Sequence, residues 1–134
     1  RGDFARTYVV GKSARAEDAR HYAAVRAAVE AGIEAVKPGA TAGDVYAAML
    51  RAGQAIDPQL YREHAGHGVG LEIHEEPMIY QGSKFVLEPG MVVMIECGRY
   101  ILGQGGYQME DLVLVTPTGY ELMTDVPRDL VVGS

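Results

Sequence analysis

The stretch from His64 to Pro77 contains the residues most capable of chemistry. Three of the chain's four histidines lie in it, at positions 64, 67 and 74. Glycines are interleaved with them, and glycine allows a backbone to approach a ligand closely. Pro77 prevents the stretch from continuing as a helix. This composition is poorly suited to a hydrophobic core and predicts a functional site.

Carboxylates associated with apolar strands are the second unusual feature. Glu96 ends one apolar run, Glu110 precedes another, and Asp3 opens the first predicted strand. Each could simply face solvent, because alternate residues of an edge strand point to water. A buried carboxylate, in contrast, needs a cation. Together with His67, the three carboxylates form a donor set that suits Mn, Fe, Co or Zn in a hydrolytic site.

Two other kinds of active site fit the residues less well. His74-Glu75 resembles the start of the helical zinc motif with two histidines four residues apart, but Met78 occupies the place of the second histidine and Pro77 blocks the helix. Cys97 is the only cysteine, and at a strand end it is predicted to be an inert packing thiol.

The elements that must position these residues are helices followed by strands. Apolar residues recur at spacings of three and four in the first helix, where His21 is expected to be solvated or half-buried. Thr41 is a suitable N-cap for the second helix, with Asp44 three residues later, and Gly53 a suitable stop. The sequence predicts a strand at 4–11, helices at 14–36 and 41–52, strands at 91–97 and 107–116, a hairpin return at 119–122 and a polar tail.

This order of elements predicts an α+β fold with a largely antiparallel sheet. The 134 residues, 48% of them hydrophobic, suffice for one domain. A net charge of -6 argues against nucleic acid as a partner, and no run is long enough for a membrane helix. A single cysteine fits a reducing compartment such as the cytoplasm.

Four segments resemble the pita-bread metallopeptidases, a family that includes methionine aminopeptidases, Xaa-Pro aminopeptidases, prolidases and creatinase. The segments are Asp3-Phe4-Ala5-Arg6-Thr7, the stretch 66–77, Leu87 to Glu96, and Glu110 to Thr116. They cover nearly the whole chain in the family's order. The resemblance implies the C-terminal half of a pita-bread catalytic domain, with two helices packed on a curved, largely antiparallel sheet.

The resemblance also implies roles for individual residues. Asp3 and Glu110 would bridge two divalent metal ions (Mn, Co, Fe or Zn), and His67 and Glu96 would complete the coordination of one of them. His74 would contact the substrate near the scissile bond, and Glu96 would shuttle protons. The implied reaction is peptide-bond hydrolysis by a metal-bridging hydroxide, and the implied form is a homodimer. His64 has no implied role.

The departures from the family pattern matter as well. The family's further metal-binding Asp and a second catalytic histidine precede the region that matches Asp3. Residues 1–134 are therefore expected to be the C-terminal part of the catalytic domain, with the N-terminal half absent and the isolated chain weakly active or inactive. Gln108 stands where proline peptidases usually carry Arg, and Cys97 replaces a usual Pro.

Three functions are consistent with these residues. The preferred one is a dinuclear, manganese-type Xaa-Pro aminopeptidase acting on peptides. The Gln108 and Cys97 departures favour, more modestly, an enzyme of the same fold with diverted non-peptide chemistry, such as a creatinase-like hydrolase or a lyase. The third is a non-catalytic pita-bread module that binds peptides or proteins.

Overall fold

A computed structural model describes residues 3–133, so that Arg1, Gly2 and Ser134 lie outside the described part. Among these residues, two helices are followed by most of the strands. The elements are β1 (Tyr8–Val10), α1 (Ala16–Ala35), α2 (Ala42–Gln54), β2 (Gly66–Gly68), β3 (Val92–Ile101), β4 (Gly105–Thr116), β5 (Gly119–Leu122) and β6 (Val131–Gly133).

The main sheet has four strands in the order β2-β3-β4-β5, and every neighbouring pair is antiparallel. The long β3–β4 hairpin is its centre, with ten paired positions from Val92–Leu114 to Ile101–Gly105. A second, two-stranded sheet pairs β1 with β6 in parallel. The prediction of an α+β fold with a largely antiparallel sheet is confirmed.

The hydrophobic core lies between α1 and one face of the main sheet. The buried side chains of α1 include Val25, Val29 and Ile33, and α2 packs against α1 on the side away from the strands. From the sheet, residues such as Ile95 and Met109 complete this core. Because side chains alternate along a strand, the neighbours of these residues point to the opposite face, which the helices leave free.

The helices begin near the predicted positions, but for partly different reasons. At α2, the Thr41 hydroxyl accepts the Asp44 backbone N–H at 3.1 Å, and the Asp44 carboxylate accepts the Thr41 N–H at 3.0 Å, as predicted. At α1, the Asp18 carboxylate instead accepts the Arg15 backbone N–H at 3.2 Å. The predicted stop at Gly53 is wrong, because α2 continues to Gln54.

Two predictions about the flanking regions are also wrong. The polar tail contains β6, and the first strand is confined to Tyr8–Val10.

The prediction for His21 is wrong as well. His21 is buried, and its Nδ1 lies 2.9 Å from an oxygen of Asp57, so it is neither solvated nor half-buried. None of the helices in the described residues is long and apolar enough to cross a membrane.

Candidate metal and active site

The strand register gathers three of the predicted metal ligands on the sheet face opposite the helices. Glu96 of β3 is directly opposite Glu110 of β4, and His67 of β2 is opposite Met94, which is two residues before Glu96. Directly opposed residues point to the same face, as do residues two apart on one strand. The strand pairing and the alternation of side chains therefore direct these three side chains toward one region.

The N-terminal segment brings Asp3 to the same region. β5 pairs with β4 only from Val113 onward, so the edge of β4 near Glu110 is open to another segment. Ala5 exchanges two backbone hydrogen bonds with Glu110, at 3.0 and 3.4 Å. Asp3 is thereby positioned with a carboxylate oxygen 3.8 Å from Nε2 of His67.

Arg6 holds this segment in place. Its guanidinium donates to Asp111 at 2.6 Å and to the carbonyl oxygens of Glu110 and Val126 at 2.8 and 2.9 Å. Asp111 is fully buried and also accepts a bond from Arg128 at 2.7 Å. Although adjacent in sequence, Glu110 and Asp111 therefore differ in role: Glu110 faces the site, and Asp111 anchors the segment that carries Asp3.

His67 is preorganised to donate a lone pair from one ring nitrogen. The ring is buried, and Nδ1 lies 2.9 Å from the carbonyl oxygen of Gly68. Because a carbonyl oxygen only accepts, Nδ1 donates this bond, and Nε2, which faces Asp3, is the ring nitrogen available to a metal ion. A second hydrogen bond of this kind is typical of histidines that bind metals.

Glu96 and Glu110 form a crowded pair of buried carboxylates. Burial raises the pKa of Glu110, the Gln108 amide opposes this effect, and the negative charges of Glu96 and Asp3 raise the pKa further. Carboxylates crowded in this way have a strong affinity for protons or cations. A divalent cation would relieve the repulsion, so the donor set fits the metal chemistry predicted from the sequence.

Two further histidines lie beside this group. Gly68 and Glu75 pair across a short loop, which brings the exposed His74 ring to a centroid distance of 4.4 Å from the His67 ring. His64 Nε2 lies 3.2 Å from an oxygen of Glu96. The only sequence signal for His64 in the site is its position in the same histidine-rich stretch.

Tyr100 and Gln108 complete the rim near Glu110. The Tyr100 ring lies against Gly98 and Gly106, where an added Cβ would be 2.8 Å from ring atoms at either position. Its hydroxyl donates to the Gln108 side-chain oxygen, and the Gln108 amide donates to Glu110. Through Gln108, the Tyr100 ring thus connects the end of the β3–β4 hairpin to the candidate ligand Glu110.

The predicted ligands lie close together as pairs. Asp3 is near His67, and Glu96 faces Glu110 across the strands. His64, which was not a predicted ligand, is near Glu96. Within residues 3–133, no three His, Cys, Asp or Glu side chains already surround one point with the geometry of a metal site. The donor types, burial and charge of these side chains fit a divalent cation.

Comparisons with known proteins identify the family of this chain. A family model described as metallopeptidase family M24 matches residues 1–117. The Xaa-Pro dipeptidase of Pyrococcus furiosus is 41% identical over 138 residues, covering 96% of this chain and 37% of the relative. The probable dipeptidase PepE of Mycobacterium tuberculosis is 39% identical over 134 residues, covering 97% and 35%.

Comparison with solved structures also finds a dipeptidase. The crystal structure of dipeptidase PepE from Mycobacterium ulcerans matches with a TM-score of 0.91 and 36% identity, over 99% of this chain and 36% of that chain. The pita-bread fold expected from the resemblance is therefore confirmed. The chain spans little more than a third of the length of these curated relatives. The chain belongs to metallopeptidase family M24.

Proposed function

We propose that the protein is a metal-dependent peptidase that hydrolyses Xaa-Pro peptides. The observation that carries this proposal is the convergence of Asp3, His67, Glu96 and Glu110 on the helix-free face of the sheet. Relatives named as dipeptidases and Xaa-Pro dipeptidases support it. The proposal includes two divalent metal ions, with manganese as the first candidate.

The four proposed ligands have complementary roles. Asp3, Glu96, Glu110 and the Nε2 atom of His67 would hold the divalent ions. When bound, the metal ions would polarise the scissile carbonyl and lower the pKa of a water molecule. Glu96 and Glu110 are buried, so a bound cation would interact with them more strongly than it would in bulk water.

The remaining proposed roles belong to His74 and Glu96. His74 is exposed beside His67, so its ring can reach a peptide and donate a hydrogen bond to the oxygen that gains negative charge. Glu96 would accept a proton from the attacking water and deliver it to the leaving nitrogen. His64 contacts the Glu96 carboxylate and would restrict its orientation.

The organisation of the whole protein is part of the proposal. We propose that residues 1–134 form the C-terminal part of a catalytic domain, and that a preceding half supplies further ligands. The chain alone would then be weakly active or inactive. A cytoplasmic homodimer is proposed as the working form, which cell fractionation and analytical ultracentrifugation of the full-length protein would measure.

Metal content and peptidase activity of the full-length protein test the proposal together. After loading with Mn, the protein should bind about two ions per chain and release the N-terminal residue of Xaa-Pro peptides. His67→Ala and Glu110→Gln should lower metal affinity or activity by roughly 100-fold or more. Glu121→Gln, on the exposed strand β5, is the matched control and should behave like the wild type.

Two results would contradict different parts of the proposal. Stoichiometric metal binding without cleavage of any Xaa-Pro peptide would refute the specificity and direct attention to small non-peptide substrates. Fewer than one metal ion per chain after dialysis against low metal would refute the catalytic assignment and favour a peptide-binding module.

A further inference from the structure

The C-terminal tail, residues 124–133, is bonded along the N-terminal segment of the chain. It begins beside β4, where the Thr124 hydroxyl accepts a backbone N–H of that strand at 2.8 Å. It ends in β6, which pairs with β1. Between these two points, Arg6 donates to the carbonyl oxygens of Val126 and Pro127 at 2.9 and 3.0 Å. The tail and the N-terminal segment are therefore held together by side-chain and backbone bonds alike.

A buried carboxylate joins the tail to Arg6 a second time. Arg128, in the tail, donates from Nε to one oxygen of Asp111 at 2.7 Å, and Arg6 donates to the other oxygen at 2.6 Å. Asp111 is fully buried. Because each of its oxygens accepts from a different guanidinium, the carboxylate cannot turn without losing one of two charge-assisted bonds. Arg128 thus fixes the orientation of the acceptor that Arg6 uses.

The start of the N-terminal segment makes limited contact with β4 in the part of the chain that the structure describes. Ala5 and Glu110 exchange two backbone bonds, one of them long at 3.4 Å. The Thr7 hydroxyl accepts the Gln108 N–H at 2.7 Å and donates to the Gln108 carbonyl oxygen at 3.0 Å. Asp3 lies before these contacts, and its side chain is 41% exposed. The position of Asp3 therefore depends on how firmly the residues after it are held.

We propose that Arg128 is a positioning residue for metal binding, which acts on Asp3 from the C-terminal tail. This inference rests on the metal site of the proposed function. Arg128 orients Asp111, and Asp111 holds Arg6, which is three residues after Asp3. The Asp111 and Arg6 side chains are buried, and closely packed groups transmit a displacement instead of absorbing it.

The coupling between the tail and the metal site acts in both directions. If the tail improves the affinity of Asp3 for a metal ion, a bound ion must stabilise the tail by the same free energy. Arg128 should therefore matter more to metal affinity than other residues that hold the tail. Asp129 is such a residue, because it pairs with Arg26 of α1 at 2.8 Å and makes no printed contact with Arg6 or Asp111.

Variants of the full-length protein test this proposal with divalent cobalt as the probe. The visible absorption of cobalt depends on the number and geometry of its ligands, so it reports the loss of a ligand as well as the affinity. Arg128→Met removes the guanidinium, Arg128→Lys keeps the charge, and Asp129→Asn is the matched control on the neighbouring residue. Asp3→Asn gives the spectrum of the site without this carboxylate.

A partial loss of the Asp3 ligand is the expected signature. Arg128→Met should weaken cobalt binding by about 10-fold, and its spectrum should shift toward that of Asp3→Asn. Adding Arg128→Met to Asp3→Asn should have little further effect, because both changes act through one carboxylate. Arg128→Lys should recover part of the affinity, and Asp129→Asn should match the wild type.

Hydrogen exchange of the metal-free protein gives a readout that needs neither metal nor activity. The amide hydrogens of Ala5 and Glu110, which bond to each other's carbonyl oxygens, should exchange about 10-fold faster in Arg128→Met than in Asp129→Asn. The amide hydrogens of α2 should keep their wild-type rates. Faster exchange throughout the protein would instead indicate a general loss of stability.

Three outcomes would overturn the inference. The first is an equal loss of cobalt affinity in Arg128→Met and Asp129→Asn, and the second is a full, additive loss when Arg128→Met is combined with Asp3→Asn. The third is unchanged exchange at Ala5 and Glu110 in Arg128→Met. If the wild-type protein binds no cobalt, the proposed function fails, and faster exchange at these two amides would still support the positioning of Asp3 by Arg128.

Discussion

The ion pairs of Asp111 allow a sharp test of how the site is held together. Asp111→Asn keeps the shape of the side chain and removes its charge. In the wild type, the carboxylate accepts from Arg6 at 2.6 Å and from Arg128 at 2.7 Å. The side chains of Asp111 and Arg6 are only 0% and 3% exposed, so water cannot replace the lost partner.

The expected magnitude follows from this burial. Removing one partner from a buried ion pair costs about 3–5 kcal/mol, because the other charge remains buried and unpaired. An exposed ion pair is worth at most about 1 kcal/mol. The Arg26–Asp129 pair, with side chains 39% and 81% exposed, is such a pair and allows the same Asp→Asn change. Asp111→Asn should therefore lower the free energy of unfolding by at least about 2 kcal/mol more than Asp129→Asn.

Urea denaturation of the two variants measures this difference. A double-mutant cycle with Arg6→Met should show that the two substitutions are strongly non-additive, since they remove the two partners of one interaction. Metal content should also decrease in Asp111→Asn, because Arg6 anchors the segment that carries Asp3. Similar small losses of stability in Asp111→Asn and Asp129→Asn would refute the reasoning.

Three further predictions concern the cap of α2, acid stability and the thiol. Thr41→Ala removes the acceptor of a helix N-terminal N–H and should cost about 1 kcal/mol in urea denaturation, whereas a change below a few tenths would contradict the capping role. Burial opposes ionisation of Asp57, but its bonds from Arg99 and His21 outweigh burial and hold the pKa of Asp57 below its ordinary value. This carboxylate therefore contributes stability above about pH 4 that is lost as the pH falls further, and Asp57→Asn should remove that part of the pH dependence in unfolding measured from pH 3 to 7. Burial raises the pKa of the Cys97 thiol to about 12, so a disulfide reagent at pH 8 should label it only after unfolding, and rapid labelling of the folded protein would exclude a buried thiol.

Local patterns were sufficient to predict both helices and the long strands of the main sheet. The Thr41 cap depends on a bond to a residue three positions away, so the sequence alone contains it. The proposed metal ligands could be identified because carboxylates and histidines are conspicuous among apolar and glycine residues. Neighbouring residues of a strand point to opposite faces of the sheet, so local sequence does not show which of Glu110 and Asp111 faces the site. The pairing of Glu110 with Glu96 of β3 places these two side chains on the same face.

Features that depend on tertiary packing were not predictable in this way. Gly53 suggested a helix end, yet α2 runs one residue further, and the Leu60 side chain occupies the space that a side chain at position 53 would need. Gly98 and Gly106 lie within β3 and β4, where the Tyr100 ring occupies the space of a side chain, and no local pattern encodes that contact. His64 contacts Glu96 across two chain segments far apart in sequence, and no local pattern encodes such a contact.

The parallel pairing of β1 with β6 has a consequence for the order in which the molecule assembles. Tyr8 pairs with Val131, so this small sheet closes a loop that contains nearly the whole described chain. Closing so long a loop costs entropy, and only three residue pairs offset that cost. The β3–β4 hairpin, in contrast, closes a short loop. We therefore expect the hairpin and α1 to form early and β1–β6 to form last. In the folded protein, the same sheet should be among the first regions to exchange its amide hydrogens, while the hairpin at the centre of the site remains protected.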